Sequence, residues 1–294
     1  MKYLLLLLAT LLTSAKAIVC KKVGQDNQST QGVLFLNANI FAVASLTVLI
    51  GNADKIKSIL GISPFSLILA ACFAFFLLFA QIMQTFAMAH GFVSLSSLIY
   101  ACGFLIPIFY SAIFLDESIS PFQIGGILLL LVSLVVILPP ERSGRFSFVW
   151  LVLALMSMLG SGINAVIQKL HQSSSYKEEL IPFLFFALLF AAVLSLGASL
   201  VGKRTDAAPL SRLYSRKSSV LLMLLGGAVV GFMNIVTLML AGRLPAVIQF
   251  PVYNVGSMIM TALAGRVLFG ERIGQRKLVG FMIGLVAITV IGVL

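Results

Sequence analysis

An all-α polytopic membrane protein, with ten transmembrane helices built as two inverted five-helix repeats, is the fold class this sequence predicts. Three observations carry that expectation. Of 294 residues, 60% are hydrophobic and only 10% charged, with a mean hydropathy of +1.11, a balance that fits poorly with any soluble class. Apolar windows of about 20 residues, the length that crosses a ~30 Å hydrocarbon core, recur with short polar gaps. Lipid offers no water to satisfy backbone groups, so these windows should be helices. Finally, the stretch from Pro245 to Leu294 echoes an earlier one. The span Ala246 to Phe269, the corner Gly270-Glu271-Arg272 and a last span with Gly280 and Gly284 repeat Gly91 to Leu115, Asp116-Glu117-Ser118 and Ile119 to Leu138. At the offset that sets Glu117 on Glu271, Ala87 meets Ala241, Val93 meets Val247, Ile119 meets Ile273 and Gly126 meets Gly280.

Span 1 opens with Met1-Lys2, Leu4 to Leu12 and Ala15-Lys16-Ala17, which also reads as a secretory signal with an A-x-A cleavage site. Against that, Lys16-Ala17-Ile18-Val19-Cys20-Lys21 resembles Asn164-Ala165-Val166-Ile167-Gln168-Lys169. A removable signal has no reason to match an internal helix, so span 1 is expected to be retained. Span 2 (about Val33 to Gly51), a loop with Asp54, Lys55 and Lys57, and span 3 (about Pro64 to Ala89) follow, then spans 4 and 5 of the first repeat. Pro139-Pro140 stops span 5, because proline cannot continue a helix; the link through Gly144 to Arg145 sets the boundary. The domains expected are 1–138, a linker 139–147, and 148–294.

Span 6 runs about Phe148 to Leu170 and span 7 about Ile181 to Gly202, with a polar loop His171 to Glu179 between them. A basic loop with Lys203, Arg204, Arg212, Arg216 and Lys217 precedes span 8 (about Val220 to Ala241), and spans 9 and 10 close the chain. An odd number of spans per half inverts the second copy, as in many secondary transporters.

The formal charge of +11 would point to nucleic acid in a soluble protein. Here Lys and Arg cluster at span ends and in loops, where they serve as topology signals and lipid head-group contacts, so nucleic acid is discounted. The positive-inside rule places both termini outside, because Lys21, Lys22, Arg142, Arg145 and the 203–217 loop share the opposite face. Cys20, Cys72 and Cys102 show no metal-ligand spacing and imply no disulfide framework.

Two five-helix halves, each closing with a helix, a short corner ending in Glu (Leu115-Asp116-Glu117 and Phe269-Gly270-Glu271) and a Gly-containing last helix, resemble the EamA-type branch of the drug/metabolite transporter superfamily. The ends of spans 1 and 6, Ser14 to Lys21 and Gly162 to Lys169, resemble the same family's small-residue, Asn, aliphatic, Lys pattern. The resemblance implies a ten-helix carrier for small metabolites or drugs working by alternating access, with cytoplasmic termini, against the charge count. Lys16 stands where Asn164 keeps the family's more usual Asn.

Ionisable groups inside a membrane cost about 2.5 to 3.5 kcal/mol at a helix centre and are functional candidates by default. All nine acids, Asp26, Asp54, Asp116, Glu117, Glu141, Glu178, Glu179, Asp206 and Glu271, fall in loops or corners. A mid-membrane carboxylate relay or intramembrane aspartyl or metal chemistry is therefore not expected, and neither is a cofactor. Lys16 reads either as a cationic anchor for a substrate carboxylate or phosphate, or as a lysine snorkelling to the interface. Glu117 and Glu271 read first as caps near the next helix's N-terminus. The in-span polar set comprises Gln81 and Gln84 (span 3), Tyr100 (span 4), Asn164 and Gln168 (span 6), Asn234 (span 8), and Gln249, Tyr253 and Asn254 (span 9). Together with Lys16 these are the expected substrate-binding residues, since the resemblance implies that spans 1, 3, 4, 6, 8 and 9 line the cavity. Pro107 and Pro251 interrupt spans 4 and 9. Gly227-x-x-x-Gly231 and Gly280-x-x-x-Gly284 fit close helix packing.

The expected function is a non-enzymatic secondary transporter of a small polar metabolite, amino-acid-like or an organic anion, in the cytoplasmic cell membrane. Export of amphipathic drugs is the alternative within transport; a membrane scaffold or an intramembrane enzyme is the alternative from another class. Expected partners are the substrate and the lipid bilayer, with a homodimer also compatible.

Overall fold

The computed structural model describes residues 2–24, 30–52, 59, 61–137, 147–201, 217–269 and 274–293. The corner Gly270-Glu271-Arg272, nearly all of the linker 139–147 and the basic loop to Arg216 lie outside them, as do the side chains of Lys21, Lys22 and Ser94. Every regular element is helical: α1 (Lys2–Gly24), α2 (Thr30–Ile50), α3 (Pro64–His90), α4 (Val93–Ala101), a 3₁₀ turn (Cys102–Phe104), α5 (Leu105–Phe114), α6 (Pro121–Ile137), α7 (Phe148–Ser173), a second 3₁₀ turn (Lys177–Glu179), α8 (Leu180–Val201), α9 (Lys217–Ala241), α10 (Ala246–Phe269) and α11 (Gln275–Val293). Among the described residues, eight helices are long and apolar enough to cross a membrane, α4 and α5 counting as one through the 3₁₀ turn. The class is thus an all-helical polytopic membrane protein.

Local sequence sets the helix ends. Ser63 accepts from Ser66 N with Pro64 at the first helical position of α3, and Ser147 accepts from Trp150 N at the start of α7, both satisfying orphan donors of a first turn. Ser120 and Gln123 cap α6 reciprocally: Ser120 N donates to Gln123 Oε1 at 3.0 Å and Gln123 N to Ser120 Oγ at 3.2 Å. The residues expected to form span 4 are one helix only in part. Pro107 has no N–H to offer the carbonyl four residues back, that of Gly103, and the chain tightens to 3₁₀ across Cys102–Phe104, where Leu105 N bonds Cys102 O. Pro251 sits near the start of α10 and leaves that helix continuous.

Between apolar helices in lipid there is no hydrophobic drive, so small residues and hydrogen bonds decide who packs on whom. A Cβ at Gly227 would lie 2.4 Å from Val43 Cβ and one at Gly231 2.9 Å from Ala44 O, fixing α9 against α2. Gly280 and Gly284 do the same for α11 on α6, where Ser133 Oγ donates to Gly280 O at 2.7 Å. The further pairings are α2 on α8, α3 on α7 and α8, α1 on α9 and α10, and α4–α5 on α7. The outer faces keep Leu4, Leu7, Leu11, Val132, Val135 and Leu200 exposed, which suits hydrocarbon rather than water.

The polar loop expected from His171 onwards is shorter than its composition suggests. His171 is fully buried in the last turn of α7. Its ring stacks on Phe183 at 4.2 Å and its Nε2 lies 3.3 Å from Ser66 Oγ. Beside it Glu179 accepts from Ser63 Oγ at 2.7 Å and Ser63 N at 3.2 Å. This network ties the start of α3 to the α7–α8 turn.

Candidate functional site: a central cavity and a side chamber

The helix pairings leave a cavity of about 190 Å³ among α1, α2, α3, α4, α7, α9 and α10. It receives Lys16 from α1, Tyr100 from α4, Asn164 and Gln168 from α7, Asn234 from α9, and Gln249, Tyr253 and Asn254 from α10. Eight of the ten residues expected from the sequence therefore share one space. Gln81 and Gln84 do not reach it. They line a neighbouring chamber of about 200 Å³ with Asn37, Thr85 and, again, Tyr100. Inside that chamber Asn37 Nδ2 donates to Gln81 Oε1 at 3.0 Å, and Ser157 Oγ to Gln84 Oε1 at 3.1 Å. Tyr100 is the side chain common to both spaces.

Among the described residues, Lys16 is the single charged side chain lining the central cavity. It has no hydrogen-bond or ion-pair partner among the described residues. Its helix is held in place by the small polar residues that precede it: Thr13 Oγ1 donates to Tyr253 Oη at 2.9 Å and Ser14 Oγ to Ser257 O at 3.1 Å. The close passage of α5 and the 3₁₀ turn over α7 depends on absent side chains, since a Cβ at Gly162 would stand 2.3 Å from Ile106 Cδ1 and 2.8 Å from Gly103 O.

Around these polar groups stand Phe41, Phe73, Phe104 and Phe250. The sequence carries no signal for them, because 23 phenylalanines in uniformly apolar helices provide no contrast between one face and another. Thr237 was also not foreseen; its carbonyl accepts from Gln249 Nε2 at 2.9 Å.

At the end of the cavity near Gln168 and Gln249 the helices are tied by charge. Lys169, buried, lies 2.6 Å from Glu117 Oε1 and donates to Leu244 O at 2.8 Å. The other carboxylate oxygen of Glu117 accepts from Ala246 N at 2.7 Å. Glu117 therefore does not cap the helix that follows it, a role taken by Ser120, but the distant α10, where a negative charge meets unpaired first-turn donors. The corner expectation was right in kind and wrong in partner, because the fold brings α10 closer to the Glu117 carboxylate than α6. An apolar cluster of Leu6, Ala9, Val236, Leu240 and Leu244 packs α1 and α9 together at the same end. Glu271, the matching residue of the last corner, lies outside the described residues.

No family model and no curated protein matches this sequence. Solved structures resemble its fold: a chain of one crystal structure superposes with a TM-score of 0.80 at 16% identity, over 99% of this chain and 96% of that one. At that identity the likeness is one of fold.

Proposed function

We propose that this chain is a secondary transporter that moves a small polar metabolite, amino-acid-like or an organic anion, across the cytoplasmic membrane by alternating access. The observation that carries the reading is the central cavity, where Lys16, without a partner among the described residues, faces amide side chains contributed by helices from both ends of the chain. A charge inside the helix bundle of a membrane protein is costly and marks a functional candidate. A cation without an accompanying carboxylate favours an anionic solute and disfavours cationic drugs.

The same reading takes α1 and α6 as the two remaining spans, giving ten, in two inverted repeats of the EamA type. The packing supports this. With α1 matched to α7, α2 to α8, α3 to α9, α4–α5 to α10 and α6 to α11, the most extensive contacts between unlike helices have counterparts: α3 on α7 answers α1 on α9, α3 on α8 answers α2 on α9, and α4–α5 on α7 answers α1 on α10. The self-matched pairs α2 with α8 and α6 with α11 are extensive contacts, which suits a two-fold relation between the halves. Inverted repeats with a binding site at their interface are a recurrent transporter plan.

The test is uptake of labelled organic anions and amino acids into liposomes holding the purified protein. Accumulation or counterflow of at least one anionic solute is expected, and Lys16→Ala is expected to abolish it while the protein still inserts and folds. Transport by Lys16→Ala at the wild-type rate would remove the assigned role of that cation.

A further inference from the structure

The amides of the cavity have a polarity that the sequence does not reveal. Asn164 Nδ2 donates to Phe73 O at 2.8 Å, Asn234 Nδ2 to Val230 O at 2.9 Å, Gln249 Nε2 to Thr237 O at 2.9 Å and Asn254 Nδ2 to Phe250 O at 3.0 Å. In four of the cavity's five amides one N–H is thus held against a main-chain carbonyl; the fifth, Gln168, and the Tyr100 hydroxyl have no hydrogen-bond partner among the described residues. Flipping any of the four would set oxygen against oxygen, so the orientation is fixed by the network. The four amide oxygens have no partner among the described residues. That of Gln249 is enclosed as well as unpaired, a state that costs free energy until a donor reaches it. Tyr253 adds no free donor, since its hydroxyl points to Met233 Sδ at 3.7 Å.

Among the described residues the cavity thus presents one cation, four anchored amide oxygens and no carboxylate, with Gln168 and Tyr100 as uncommitted donors. Building on the carrier reading above, we infer that the solute is a small acid with a single carboxylate that also carries hydrogen-bond donors, hydroxyl or ammonium, rather than a hydrocarbon acid or a dicarboxylate. A hydrocarbon acid would pair with Lys16 and leave the amide oxygens unsatisfied. A dicarboxylate would set its second charge against those oxygens. The volume of about 190 Å³ corresponds to roughly six waters at about 30 Å³ each, enough for an acid of three or four carbons.

Five three-carbon acids separate these cases: propionate, malonate, glycerate, alanine and serine, titrated calorimetrically into the full chain in lipid nanodiscs. Glycerate, serine or both should bind at least about tenfold more tightly than propionate and malonate, the order expected for one to two added hydrogen bonds. Glycerate against serine tells hydroxyl from ammonium recognition. Asn234→Leu and Asn254→Leu each remove an amide that bonds only its own helix, so no interhelical tie is lost, and each should reduce the glycerate or serine preference severalfold. Equal binding of propionate, or a preference that survives both substitutions, overturns the inference and leaves the carrier reading standing. Failure of all five acids to bind would overturn the anion-carrier reading and this inference with it.

Discussion

Replacing Glu117 by Gln removes the charge that faces the Lys169 ammonium while keeping the size of the side chain. Lys169 is about one-twentieth exposed and Glu117 about one-fifth, so the pair lies between two known regimes: exposed pairs contribute about 0–1 kcal/mol, whereas breaking a fully buried pair costs about 3–5 kcal/mol. A loss of about 2–3 kcal/mol is expected, because Leu244 O still accepts from Lys169 and a Gln oxygen can still accept from Ala246 N. At roughly 2–4 °C per kcal/mol for a chain of this size, the apparent Tm in detergent should drop by about 4–12 °C. Lys169→Met should give a fall of similar size by stranding the carboxylate. The combined Lys169→Met/Glu117→Gln variant should be no less stable than the worse single variant, since neither charge is then left alone. Thermal unfolding of all four proteins closes the cycle. Single variants within about 1 °C of wild type, or a double variant equal to the sum of the singles, would refute the idea that this pair fastens α7, α10 and the Glu117 corner together.

Two further predictions concern packing and capping. Gly162→Val should leave little folded protein on size-exclusion chromatography, because its added atoms meet Ile106 and the Gly103 carbonyl; Gly125→Ala and Gly197→Ala meet nothing within 4 Å and should stabilise by up to about 1 kcal/mol, the helix preference of alanine over glycine. Glu179→Ala frees the Ser63 hydroxyl and amide that it now accepts from, and should lower Tm by a few degrees at about 1–2 kcal/mol; an unchanged Tm would show that the α3 cap alone holds that corner.

The helices were legible because membrane spans announce themselves by length and composition, and the polar residues within them were legible as exceptions to an apolar background. That is why eight of the ten expected site residues meet in one cavity. Gln81 and Gln84 fall one chamber away because being polar within a span does not say which face of α3 a residue occupies, and α3 is apolar on every side. Tyr100 joins the two spaces only because α4 gives way to a 3₁₀ turn just after it, a break that Pro107 causes from several residues downstream. His171 was assigned to a loop on the strength of its polar neighbours, whereas stacking on Phe183 and contact with Ser66 compensate its burial. The partner of Glu117 could not be read at all: Lys169, Leu244 and Ala246 are far away in sequence, and only the folded chain brings them to one carboxylate.

The division between the cavity and the Lys169–Glu117 tie has a kinetic consequence. Flips of exposed side chains take ps–ns, while rearrangement of packed helices takes μs–ms. In a carrier built this way, filling the cavity is fast and the slow step is the parting of an ion pair that the solute need not touch. Affinity would then be tuned at Lys16 and the asparagines, and turnover at Glu117, so the two constants could drift apart between relatives without either site changing the other.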